Sequence, residues 1–167
     1  MDNETIHEVL LELLEAKKYR ELKKELCDMN EVDIAAFMEG LDNEKALIVF
    51  RMLPKELATE VFACLEVEQQ ESIIDSINDT ELKYIIEDLY VDDAVDMLEE
   101  LPARVVKRVL KSATSDTRKL INEFLKYPAN SVGSIMTAEY VGLKKNMRVE
   151  EAFEYIRIKD PIKYLNK

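Results

Sequence analysis

The sequence predicts an all-α protein, a stack of about ten short helices of the α-solenoid kind, ending in a short mixed α/β segment. A twelve-residue apolar period and the residues at its joints carry that prediction. Leu41, Leu53, Leu65, Ile77, Leu89 and Leu101 stand twelve residues apart without a slip. Three before them stand Met38, Phe50, Phe62, Ile74, Ile86 and Leu98, and four before them Phe37, Val49, Val61, Ile73, Ile85 and Met97. Seven before them stand Ile34, Ala46, Ala58, Gln70, Leu82 and Ala94, where Gln70 is the one polar member. This is the i, i+3, i+4, i+7 stripe of an amphipathic helix, repeated six times. In one continuous helix the stripe would rotate by about 120° every twelve residues, because 3.6 does not divide twelve. No single partner could bury it, so the chain must break and restart once per repeat.

The joints permit the breaks. Pro54 and Pro102 follow Leu53 and Leu101, and proline suits the first turn of a helix. Asp42, Asn78 and Asp79 carry short side chains able to cap free N–H groups. Helices of this length are marginal alone in water and must be stabilised by stacking. After Lys126 the pattern changes: Tyr127–Thr137 mixes turn residues with a short apolar turn. Tyr140–Leu143 then reads as a brief strand and Met147–Arg157 as a helix with Val149, Ala152, Phe153 and Ile156 on one face, stopped before Pro161.

Composition narrows the class. No run of the 167 residues approaches the roughly 20 apolar residues that span a bilayer, and Met1–Leu14 lacks a basic start and a cleavage site. A soluble product without membrane insertion is expected. Cys27 and Cys64 lie outside any CxxC pair and are expected to be buried, reduced thiols; His7 is expected to face solvent from the first helix. Net charge is −12, unevenly spread. Residues 1–40 hold 11 acids and 5 bases, residues 41–102 hold 17 and 4, and residues 103–167 hold 7 and 14. The acidic repeat region has the wrong sign for nucleic acid. Arg104, Lys107, Arg108, Lys111, Arg118 and Lys119 solvate two helices, face the acidic part of the same molecule or of a partner chain, or meet an anionic partner. With glycine only at positions 40, 133 and 142 there is no phosphate-cradling loop, and there is no GxSxG or HExxH motif. The protein is not expected to be an enzyme.

The stretch Glu87–Glu100 holds seven carboxylates in fourteen residues. Asp92 and Asp96, four apart, project from one side of a helical turn, where like charges are mildly unfavourable. Two readings stand side by side. In one, Asp92 or Asp93 caps or charges a helix N-terminus and the other acids form a wet face. In the other, Asp92 and Asp96 jointly hold a hard divalent cation such as Mg2+, which takes oxygen ligands and keeps several waters.

The segment Tyr127-Pro128, Val132-Gly133-Ser134-Ile135-Met136-Thr137, Tyr140-Val141 and Val149-Glu150-Glu151-Ala152 resembles the opening of a cystathionine-β-synthase (CBS) domain. Placed directly after a helical region, it is similar to bacterial magnesium transporters of the MgtE family. Leu53-Pro54, Leu89–Asp96 and Glu99-Glu100-Leu101-Pro102 resemble that family's N-terminal domain, a right-handed superhelix of short helices. The resemblance implies an N-terminal helical domain over 1–126 and the first part of a CBS domain, an incomplete α/β unit, over 127–167. It implies a Mg2+-sensing cytoplasmic part of a dimeric membrane transporter, with the CBS pair and membrane domain as partners. Magnesium between domains would neutralise clustered carboxylates and favour a closed state. By the same resemblance the metal ligands are Asp92, Asp96 and Glu60, with Asp93 in support. The chain stops inside the first CBS domain, so it is expected not to transport an ion by itself and to hold half-built, weak metal sites. Flagellar motor switch proteins have a similar stack, which leaves a protein-binding adaptor without a metal role as the alternative.

Overall fold

Each joint of the twelve-residue period becomes a helix end. The computed structural model describes residues 3–128, 130–137 and 140–159. In order these form α1 (Asn3–Glu15), α2 (Tyr19–Cys27), α3 (Glu31–Glu39), α4 (Asn43–Met52), α5 (Lys55–Cys64) and α6 (Val67–Ser76). There follow α7 (Asp79–Asp88), α8 (Val91–Glu100), α9 (Ala103–Ser112), α10 (Ser115–Phe124), a 3-10 turn (Val132–Ser134) and α11 (Val149–Lys159). Leu53, Leu65, Ile77, Leu89 and Leu101 are the C-cap residues of α4 to α8, all extended and all buried. The period runs on for two further units, through Ala113 after α9 and Leu125 after α10. Leu41 is the exception: Gly40 ends α3, and Leu41 is half-buried one residue later.

All eighteen stripe residues, from Ile34 to Leu98, are buried. Gln70 fits because its Nε2 donates to the Phe62 carbonyl at 3.0 Å, at the end of α5. Its neighbour Gln69 donates to the Met38 carbonyl at 2.8 Å, at the end of α3. The glutamines thus add a second hydrogen bond to carbonyls at helix ends, which each have a lone pair to spare. At the N-termini, Asp42 accepts from the Lys45 N–H at 2.9 Å, and Asn78 forms a reciprocal capping box with Glu81. Asp79 is the first residue of α7 rather than its cap, and Pro54 and Pro102 stand at the N-cap positions of α5 and α9.

Packing runs mainly between a helix and the next but one: α2 with α4, α3 with α5, α4 with α6, α5 with α7, α7 with α9 and α8 with α10. Side-chain ties add a longer link, from α9 back to α6. Arg104 on α9 pairs with Glu71 and Asp75 on α6. Arg108 donates to the carbonyls of Ile74 and of Ile77, the latter at 2.7 Å, and to Asp79 at 3.1 Å. For these two arginines the basic third of the chain faces its own acidic part. Arg118 instead donates to the Ala113 carbonyl, and Lys119 pairs with Asp116 one helical turn away.

Four expectations need correction. Cys27 and Cys64 are free but exposed, because each is the last residue of its helix and falls just off the buried stripe, after Leu26 and before Leu65. His7 does not face solvent fully: it is half-buried, its ring edge-on to Phe37 at 5.6 Å. Tyr140–Leu143 is not a strand, and no strand occurs among the described residues, since a lone extended segment has no ladder to join. The C-terminal helix begins at Val149, two residues later than expected, and Val149 and Phe153 remain exposed. The expected stop before Pro161 lies outside the described residues.

The chain divides into two compact units, Met1–Met136 and Thr137–Lys167. The first extends past α10 because the Tyr127 ring stands edge-on to Phe124 at 5.8 Å, and Gly133 lies so close to that ring that a Cβ would collide with it.

Candidate divalent-cation site

Helix α8 turns Val91, Ala94, Val95, Met97 and Leu98 inward, and this decides where its acids point. Its N-cap is Tyr90, whose side chain makes no capping hydrogen bond. Asp92 and Asp93 lie in the first turn, where the positive end of the helix favours a carboxylate. Asp93, Asp96 and Glu100 follow at i, i+3 and i+7 and share a face. Together with Glu66, the N-cap residue of α6, they line an open cleft of about 260 Å³ between the α5–α6 joint and α8. Gln70 and Met97 form part of its wall.

The sequence-predicted residues divide. Asp96 lies on this cleft, and so does Asp93, the supporting residue. Asp92 is half-buried; its Oδ1 is buried and has no hydrogen-bond partner among the described residues. The two other such atoms, Gln69 Oε1 and Ser131 Oγ, belong to neutral side chains. A buried carboxylate oxygen without a donor is costly, so Asp92 is the acid with most to gain from a counter-charge. Glu60 is exposed on α5 and does not line the cleft, yet it shares a neighbourhood with Asp93. Both act on the Cys64 thiol, which is pushed up first by partial desolvation and then by the charges of Glu31, Asp93 and Glu60.

Glu66 and Glu100 are the residues that sequence reasoning missed. Glu100 was legible as i+7 from Asp93, but Glu66 comes from another helix and had no signal of its own. Among the described residues, no three His, Cys, Asp or Glu side chains stand together as a metal-ligating group. The cleft acids do fit a hydrated hard cation. Mg2+ uses one or two carboxylates directly and keeps most of its water, so it does not need a tight cage of side chains.

Comparison with known proteins decides the family. The family model of the MgtE intracellular N domain matches residues 29–130. The chain belongs to the MgtE N-domain family. It is 30% identical over 152 residues to the magnesium transporter MgtE of Thermus thermophilus, covering 89% of this chain and 34% of that protein. With the magnesium transporter MgtE of Bacillus subtilis it shares 23% identity over 172 residues, covering 99% of this chain and 38% of that one. The chain thus spans little more than a third of the length of these curated relatives. In structure it is similar to the cytosolic domain of the Mg2+ channel MgtE in complex with ATP, at a TM-score of 0.77 and 30% identity, covering 91% of this chain and 62% of that one. The soluble part of a magnesium transporter shares the fold at a TM-score of 0.83 and 21% identity, covering 96% and 64%. Among the described residues of this MgtE N domain, no helix is long and apolar enough to cross a membrane.

Proposed function

We propose that this MgtE N domain is the cytoplasmic, Mg2+-sensing regulatory portion of a magnesium transporter. The observation that carries the reading is the cleft lined by Glu66, Asp93, Asp96 and Glu100, with the buried Asp92 Oδ1 of the same helix lacking a hydrogen-bond partner among the described residues. Like charges so placed destabilise the arrangement that gathers them. A divalent ion supplies the opposite charge there and selects the compact arrangement over others. Asp93 and Asp96 would hold the hydrated ion, and Asp92 and Glu60 would add to the field that draws it in. We further assign the helical domain to residues 1–126, as a right-handed superhelix, and residues 127–167 to the start of a CBS domain. The remaining transporter, a homodimer with a CBS pair and a membrane domain, is its partner in this reading.

Thermal unfolding in Mg2+, against a monovalent salt of equal ionic strength, tests it. At ten times its dissociation constant a ligand adds roughly 1.4 kcal/mol to stability. The Tm should rise with Mg2+, and Asp92→Asn with Asp96→Asn should abolish the rise. No rise in the wild type, or an equal rise in the double variant, would favour the adaptor reading.

A further inference from the structure

A second concavity, a groove of about 700 Å³, opens among α4, α5 and α7, apart from the acidic cleft. Its floor is apolar, built from Phe50, Leu53, Ala58 and Ile77. Its volume lies inside the roughly 300–1,000 Å³ of small-molecule sites, which combine apolar walls with a few placed polar groups. The rim is unusual for this molecule. Residues 41–102 contain four bases against 17 acids, and three of the four, Arg51, Lys55 and Lys83, line this one groove.

The two acids on the same rim already have partners within the protein. Glu81 belongs to the capping box of α7 and also pairs with Arg51 at 3.7 Å. Glu87 accepts from the Thr114 N–H at 2.7 Å and from the Thr117 hydroxyl at 2.8 Å. Neither lysine makes an ion pair among the described residues. Lys55 holds its ammonium 4.8 Å from the centre of the Tyr84 ring, and Tyr84 is tethered by its hydroxyl to Glu56. The charge of Lys83 acts on Glu87 without forming an ion pair with it among the described residues.

We infer that this groove binds a small amphipathic organic anion, its apolar body on the floor and its headgroup between Lys55 and Lys83. Elsewhere along residues 41–102 the surplus of carboxylates repels such a ligand, so charge directs it here. Tyr84 adds an aromatic side chain to the wall, and its ring holds the Lys55 ammonium at the rim.

Titration of the 15N-labelled chain with 1-anilinonaphthalene-8-sulfonate tests this, with the uncharged N-phenyl-1-naphthylamine as the matched body lacking the headgroup. The sulfonate should saturate one site with amide shifts centred on Lys55, Ala58 and Tyr84. Loss of a charge-assisted contact predicts at least about tenfold weaker binding of the sulfonate to Lys55→Gln/Lys83→Gln, and of the uncharged probe to the wild type. Equal affinity of the two probes for the wild type would overturn the inference, whether or not the variant folds. Shifts centred on the exposed apolar residues of α11, undiminished binding by the variant, or no binding of the sulfonate would also overturn it.

Discussion

Glu87 shows how one exposed carboxylate can join two helices. From near the end of α7 it accepts the Thr114 N–H and the hydroxyls of Thr114 and Thr117, so it supplements the N-cap of α10. Partial burial alone would raise its pKa, but those hydrogen bonds and the Lys83 charge outweigh burial and hold it below the usual carboxylate range. A lowered folded-state value contributes stability above the unfolded pKa, and that stability disappears as pH falls through the folded value. Glu87→Gln should therefore lower the Tm at neutral pH, and its deficit should shrink as pH falls below about 4, where unfolded glutamates protonate. A deficit that stays constant from pH 7 to pH 3 would remove the carboxylate from this role. Nothing in the sequence placed Glu87 opposite Thr114, since the contact spans 27 residues and follows no stripe.

The helices themselves were legible because their period is coded twice, in apolar spacing and in joint chemistry. The joints at 113 and 125 were harder to see: Ala113 is small, and Leu125 ends α10 in a helical rather than an extended conformation. Sequence also overlooked the capping of α6 at its C-terminus. Arg108 from α9 takes the Ile74 and Ile77 carbonyls, and Arg51 from α4 takes the Ser76 carbonyl at 3.2 Å. Cations at a helix C-terminus meet both open acceptors and the negative end of the dipole. Arg108→Ala should destabilise the protein by about 2 kcal/mol in urea unfolding, the scale of lost charge-assisted hydrogen bonds to buried acceptors. Arg108→Lys should recover little of it, because an ammonium cannot fork across two carbonyls and a carboxylate. Full recovery by lysine would reduce the tie to simple charge pairing.

Across the whole molecule, charge is sorted as well as plentiful. Glu71, Asp75 and Asp79 are paired with arginines of α9, whereas Glu66, Asp93, Asp96 and Glu100 line the α8 cleft. That sorting was half visible in sequence. The density of Glu87–Glu100 drew attention to this stretch, and helical spacing paired Asp92 with Asp96, whereas the structure sets Asp93, Asp96 and Glu100 on the cleft face. Which second helix would oppose them depended on packing between helices far apart in the chain, so Glu66 stayed hidden. The central claim, that a divalent cation settles in this cleft, is most directly tested by adding substoichiometric Mn2+ to the 15N-labelled domain and watching amide resonances fade near the paramagnetic ion. The account predicts that Val67, Asp93, Asp96 and Met97 fade first and return when excess Mg2+ displaces the manganese. Uniform fading, or fading led by α1 while the cleft resonances stay sharp, would contradict it.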